Sequence, residues 1–173
     1  MKPISYKLLF AIAAVYDLKI EQMDVKTAFL YGDINTKIYI EQPKGMGAIG
    51  ESHKVYKLNK ALYGLKQLPR IWYFTLIIYL KTLSFEPLMA NNCVFHNSKG
   101  IYIAIFINNL LIIGPSKANI STIKTRLSKQ FHITDLGPCK YYLRMEVTQD
   151  QQNQTLKLSQ RSYLKKVLRD FGM

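Results

Sequence analysis

The chain has 173 residues, 49% of them hydrophobic, enough for one domain with a real core and short for two. Its 24 Lys and Arg outweigh 11 Asp and Glu, giving a net charge of +13 that favours polyanionic partners held by salt-sensitive contacts. Cys93 and Cys139 lack zinc or thioredoxin spacing, which argues against a disulfide framework and against a metal knuckle.

At the N-terminus, Lys2 and Lys7 precede the apolar run LLFAIAAVY and imitate a secretory signal. Asp17, Lys19 and Glu21 stand where a small-residue cleavage site would be wanted, so the expectation is an intracellular, not secreted, chain. The run is read instead as an amphipathic helix with Leu8, Ala11, Ala14, Val15 and Leu18 on its buried face. No stretch reaches the ~20 apolar residues of a membrane span. IEQMDV then reads as a strand, followed by a turn around Tyr31, Gly32 and Asp33 and by KIYIEQ, which alternates with period two. Gly45, Gly47 and Gly50 mark a loop, and VYKLN resumes strand character; these strands are expected near one sheet. After the tight Tyr63-Gly64, Pro69 suits a first helical turn, and RIWYFTLIIYLKTL reads as a well-buried helix. CVFHN is the next strand, with Cys93 and His96 as packed or edge residues, and Asn97 to Gly100 form a turn.

The segment IYIAIFINNLLIIG, 101–114, holds two apolar runs joined by Asn108 and Asn109. β-Branched and aromatic runs of this length read as strands and Asn tolerates positive φ, which places both Asn residues at the tip of a buried hairpin. From pattern alone the segment is a hairpin and nothing more. Two short side chains side by side on a rigid turn are nonetheless the geometry that, with carboxylates in place of amides, would hold divalent metal ions. Ser116 caps a helix in which Ile120, Ile123, Leu127 and Phe131 share a face, leaving Lys117 and Lys124 outside. YYLRMEV and TLKLSQ read as a further strand pair, and the final helix presents Leu164, Val167, Leu168 and Phe171 to a core. Basic residues crowd this C-terminal third. Asp24 stands near a strand end just before a turn, with Phe29 five residues on. One carboxylate from a strand and two from a neighbouring hairpin tip is the arrangement that positions two Mg²⁺ ions for in-line phosphoryl transfer.

Six long words in order carry a specific resemblance: QMDVKTAFLYGD at 22–33, IYIEQPKGM at 38–46, KLNKALYGLKQLPRIWY at 57–73, the hairpin at 101–114, FHITDLG at 131–137 and LSQRSYLKKVLRDFGM at 158–173. Over essentially its whole length the chain resembles the reverse transcriptase (RNA-directed DNA polymerase) of copia-type long-terminal-repeat retrotransposons. The resemblance implies an α+β fold: a polymerase palm with a small antiparallel sheet backed by helices, with partial fingers and the start of the thumb. It implies a single domain over 1–173, with the palm core at about 18–148 and the thumb start at about 154–173. The implied partners are an RNA or DNA template-primer and deoxynucleoside triphosphates, with Mg²⁺ or Mn²⁺ as cofactor and no membrane. Asp24 matches the residue that ligates both metals, and the main-chain carbonyl of Val25 commonly helps. Phe29 matches the aromatic beneath the sugar, although core packing explains Phe29 and Trp72 as well. Gln67 and Arg70 match the segment lining the nucleotide and template side.

The departures bear on chemistry. Where the family pattern at the hairpin is Tyr-Val-Asp-Asp, this chain has Phe106-Ile107-Asn108-Asn109. Asn is nearly isosteric with Asp, so the fold should tolerate the change, but a neutral amide oxygen is a weaker ligand for a hard cation. Only Asp24 is left to hold two dications, and negligible polymerisation and weak or absent metal binding are expected. Arg144 stands where the family usually has Gly. Against the family the chain starts in the helix before the first metal-binding strand and stops near the thumb. Three readings follow from sequence: an active polymerase, a non-catalytic basic nucleic-acid-binding fragment, or a translated relic without selected function.

Overall fold

In the computed structural model, which describes residues 3–31, 36–43, 45, 54–60 and 64–172, the expected apolar runs become strands of antiparallel sheets. In chain order the elements are α1 (Pro3–Val15), β1 (Lys19–Val25), a 3₁₀ turn (Ala28–Tyr31), β2 (Tyr39–Glu41), β3 (Val55–Lys57), α2 (Leu68–Thr82), β4 (Glu86–Leu88), β5 (Asn91–His96), β6 (Tyr102–Phe106), β7 (Asn109–Gly114), α3 (Lys117–Gln130), β8 (Ile133–Pro138), β9 (Tyr141–Tyr142), β10 (Met145–Asp150), β11 (Thr155–Ser159) and α4 (Arg161–Asp170). The fold is α+β. It divides into two compact units, Met1–Lys26 with Ser84–Met173, and Thr27–Leu83. The expected turn at Gly32 and Asp33, the loop glycines Gly47 and Gly50, Tyr63 and the side chain of Phe29 lie outside the described residues.

The first unit is built on a six-stranded sheet in the order β4-β5-β6-β7-β1-β8. β6 and β7 are apolar on both faces because both faces are covered, a pattern more usual in parallel sheets. Against one face lie Tyr6, Leu9, Phe10 and Ala13 of α1, packed with Ile20, Leu111, Ile113, Tyr142 and Val147. Phe10 and Tyr142 meet edge to face at 5.9 Å. This corrects the expected face of α1, since Leu8 and Val15 are exposed and Leu18 lies beyond the helix. A helix apolar nearly all round carries more than one plausible stripe, and the aromatic bulk of Tyr6 and Phe10 selects the buried one.

The other face is covered by α3. Its cap is as expected, with Ser116 Oγ accepting the Asn119 N–H at 3.2 Å, and Ile120, Ile123, Leu127 and Phe131 are buried. Helix and sheet approach closely at Gly114, where a Cβ would sit 3.3 Å from Ile120. Lys124 corrects the expectation of a basic outer face, because it is buried at 6% exposure. Its ammonium donates to Glu21 of β1 and, at 2.6 Å, to Asp135 of β8, pinning the helix to two strands. Burial pushes the Asp135 carboxyl up, but the Lys124 hydrogen bond, the Gly137 N–H and the Lys124 charge together hold it below its ordinary value.

Other expectations are corrected too. β2 and β3 form a separate two-stranded sheet in the second unit and do not join the large one. There α2 begins with Pro69 in its first turn, as expected, but buries only the stripe Leu68, Trp72, Leu76 and Leu80, with Phe74 and Ile78 exposed. YYLRMEV is broken by a turn at Leu143 and Arg144, whose φ values are 49° and 66°. Two consecutive positive φ values are the signature of a type I′ hairpin, normally supplied by Asn or Gly, so the signal was absent from the sequence. The result is a three-stranded sheet, β11-β10-β9. α4 buries no residue. Leu164, Leu168 and Phe171 are exposed among the described residues, contrary to expectation. The helix is tied down at its start, where Ser162 donates to Glu146 and Arg144 lies 5.1 Å over the Tyr163 ring while donating to its hydroxyl at 3.1 Å. No helix among the described residues is long and apolar enough to cross a membrane.

Lys124→Met leaves Glu21 partly buried without its cation, and should cost about 2–4 kcal/mol in urea unfolding at pH 7, discounted from fully buried pairs because Asp135 is 53% exposed. Asp135 contributes stability above its ordinary value of 3.8 and loses it as pH falls through the lowered folded value, so Asp135→Asn should flatten the acid limb of the stability profile. Unchanged unfolding midpoints for Lys124→Met would show that the buried ammonium does not hold the helix.

Candidate functional site

The candidate residues meet because β1 and β7 pair antiparallel with Asp24 opposite Asn109. Phe106 pairs with Asn109, so the turn consists of Ile107 and Asn108, and Asn109 is already the first residue of β7. This corrects the expected tip. The positive φ, 59°, falls on Ile107 and on neither Asn. Positive φ at the first turn position alone is the pattern of a type II′ hairpin, which favours Gly there; a β-branched residue holds that conformation under strain. The Asn108 carbonyl accepts the Val25 N–H at 2.9 Å, which fastens the turn to the end of β1.

The side chains form a directed chain of hydrogen bonds. Gln22 Nε2 donates to Asn109 Oδ1 at 3.2 Å, Asn109 Nδ2 to Asn108 Oδ1 at 3.3 Å, and Asn108 Nδ2 to Asp24 Oδ1 at 2.6 Å. The remaining Asp24 oxygen, Oδ2, pairs with Lys26 Nζ at 3.2 Å. Each amide oxygen accepts a hydrogen bond, that of Gln22 from the Cys139 thiol at 3.7 Å, and both oxygens of the one carboxylate face donors. The local charge is balanced within the protein, Asp24 against Lys26. Gln22 and Lys26 escaped the sequence reading, although each stands two residues from Asp24, where strand alternation puts neighbours on one face.

This donor set does not fit a pair of divalent ions. Among the described residues no group of three or more His, Cys, Asp and Glu side chains is placed to hold a metal. Hard cations want several anionic oxygens, and here one carboxylate is shared between an amide and an ammonium. The Val25 side chain is buried, and its strand holds the backbone beside Asp24. Gln67 and Arg70 belong to the second unit, at the start of α2, where the Arg70 guanidinium lies 5.6 Å over the Phe74 ring. Phe29 falls in the 3₁₀ turn of that same unit. Cys93 and Cys139 are both free, and burial pushes the Cys139 thiol up to about 12, which leaves it inert.

Residues 2–173 match the family model described as Reverse transcriptase (RNA-dependent DNA polymerase). The chain belongs to the copia-type reverse transcriptase family. The domain is 40% identical over 177 residues to a retrovirus-related Pol polyprotein from transposon TNT 1-94 of Nicotiana tabacum, covering 100% of this chain and 13% of that protein. It is 32% identical over 167 residues to a retrovirus-related Pol polyprotein from transposon RE1 of Arabidopsis thaliana, covering 95% of this chain and 11% of that one. A putative transposon Ty5-1 protein of Saccharomyces cerevisiae is 31% identical over 147 residues, 83% of this chain and 47% of its own length. The reverse transcriptase domain thus spans a small part of the Pol polyproteins it matches. No solved structure matches it significantly.

Replacing Ile107 by Gly should relieve the left-handed strain of the hairpin and raise stability by about 1 kcal/mol despite glycine's greater unfolded-state entropy. Thermal and urea unfolding measure it, and a loss of stability would mean that Ile107 contributes packing worth more than its strain.

Proposed function

We propose that this reverse transcriptase domain is a polymerase palm that engages nucleic acid without extending a primer. The observation supporting this is the hydrogen-bond chain from Gln22 through Asn109 and Asn108 to Asp24, closed by Lys26, in which Asp24 is the one carboxylate and its charge is already matched by an ammonium. In this reading the palm core covers about 18–148 and the thumb starts at about 154–173. Asp24 keeps the family position for metal binding and Asn108 and Asn109 occupy the positions of its partners. By the same resemblance Val25 lends its carbonyl, Phe29 faces the sugar, and Gln67 and Arg70 line the nucleotide and template side.

The proposed partner is a template-primer in an intracellular setting. Exposed Lys117, Arg126 and Lys129 on α3 and Arg161, Lys165, Lys166 and Arg169 on α4 add positive charge to a chain already at +13. Phosphate contacts of this kind are sequence-independent and weaken steeply with salt. Catalysis is another matter, since one lost preorganised electrostatic group typically costs ~10² to 10³ in rate and ligands of one site act as a unit.

Primer extension with purified protein and Mg²⁺ or Mn²⁺ should show no incorporation above background. The double variant Asn108→Asp, Asn109→Asp brings three carboxylates together, so its melting temperature should rise on adding Mg²⁺ while that of the parent does not move. Efficient extension by the parent that is abolished by Asp24→Asn would refute the proposal.

A further inference from the structure

We infer that the β2–β3 hairpin of the second unit is a stacking platform for unpaired bases, a site for single-stranded nucleic acid. The inference rests on the reading of the chain as a nucleic-acid binder and names a surface for it. Tyr39 pairs with Lys57, Ile40 with Tyr56 and Glu41 with Val55. Strand alternation therefore puts Lys37, Tyr39, Glu41, Val55 and Lys57 on one face and Ile38, Ile40, Tyr56 and Leu58 on the other. The second face is the more covered, with Ile38, Ile40 and Leu58 half-buried. On the first face every one of these residues is exposed, Tyr39 and Val55 each at 54%.

An exposed tyrosine on a strand has several explanations, and its neighbours decide between them. Lys57 lies directly opposite Tyr39 and Lys37 two residues before it, both within reach of a group resting on the ring. Among the described residues of this face the two cations Lys37 and Lys57 outnumber the acid Glu41. An aromatic ring flanked by cations matches a nucleotide, whose base stacks while its phosphates meet ammonium groups. A base inside a duplex cannot stack in this way, because both its faces are already covered. Charge complementarity thus selects a polyanion and the ring selects an unpaired one. The platform is held in shape from within: the Leu58 N–H donates to the Ile38 carbonyl at 2.9 Å beyond the last pair, and Gln42 Nε2 donates to the Lys54 carbonyl at 2.9 Å at the other end. A two-stranded sheet alone is only marginally stable, so a hairpin that carries exposed aromatic and apolar groups suits a surface completed by a ligand.

The test is fluorescence anisotropy with labelled oligodeoxythymidine, which forms no internal pairs, and with a blunt-ended duplex. Tyr39→Ala should weaken oligothymidine binding roughly 10-fold while Tyr39→Phe retains it, since stacking needs the ring and not the hydroxyl. Lys37→Gln and Lys57→Gln should each reduce the slope of log affinity against log salt by about 0.7. Melting curves of each variant confirm that the exposed substitutions leave the fold intact. Equal affinity of Tyr39→Ala and the parent for oligothymidine overturns the platform. So does an equal loss on blunt duplex, which would make Tyr39 a general contact. Tight duplex binding with no preference sensitive to Tyr39 removes the platform alone, whereas a parent that binds neither probe removes the underlying reading as well.

Discussion

Strand β1 is bonded on both sides, to β7 and to β8, and its register decides what every neighbouring residue can touch. Ile20, Gln22 and Asp24 turn toward the side where α1 packs; Glu21, Met23 and Val25 turn toward α3. A slip of one residue would exchange the two sets, burying Asp24 beneath α3 and leaving Met23 and Val25 without their apolar cover. The apolar half of β1 therefore positions its polar half. Asp24 is brought beside Asn108 and Asn109 by the packing and register of β1, and the Asn108 hydrogen bond to Asp24 adds to that placement. That separation of causes lets the sheet keep its geometry whatever the charge of the side chains at this end of β1.

The amides change what the site demands of its surroundings. Carboxylates at the spacings seen between Asp24, Asn108 and Asn109 repel one another and are stable only with outside cations or protons. Amides at the same positions donate as well as accept, so the cluster satisfies itself and ends on the Lys26 ammonium. Three carboxylates here would be incomplete without cations, whereas one carboxylate and two amides are complete in themselves. The buried Lys124 follows the same logic on the opposite face of the sheet, where two acids converge on one ammonium.

Local chemistry made some of this architecture legible. Ser116 announces its helix by a capping hydroxyl, Pro69 by its place in a first turn, and Asn97 its turn, since the side chain accepts the N–H groups of Lys99 at 3.0 Å and Ile101 at 3.1 Å. Where the sequence misled, the deciding partner was distant or the expected residue was missing. Nothing near Lys124 says it is buried, because Glu21 lies 103 residues away. The turn at Leu143 and Arg144 carries positive φ without Gly or Asn, so pattern reading passes over it, and the expected hairpin tip shifts by one residue because its positive φ falls on Ile107. The apolar stripe of α4 predicts a core-facing helix, but a stripe states only that a cover is favourable, and the described residues do not provide one. In the candidate site, Asp24 and the Asn pair were legible through the resemblance; the hydrogen bonds that join them to Gln22 and Lys26 depended on the register.

The central place of β1 has a cost during synthesis. It leaves the ribosome before its partners in the sheet, and Asn108, which contacts its end, follows 84 residues later. At ~5–20 residues per second the strand waits on the order of ten seconds for its first neighbour in the sheet. Through that interval Ile20, Met23 and Val25 lack the sheet neighbours that cover them in the folded protein. Any mRNA feature that slows translation between residues 26 and 109 lengthens that exposure, which makes the yield of native protein sensitive to chaperone supply as well as to equilibrium stability.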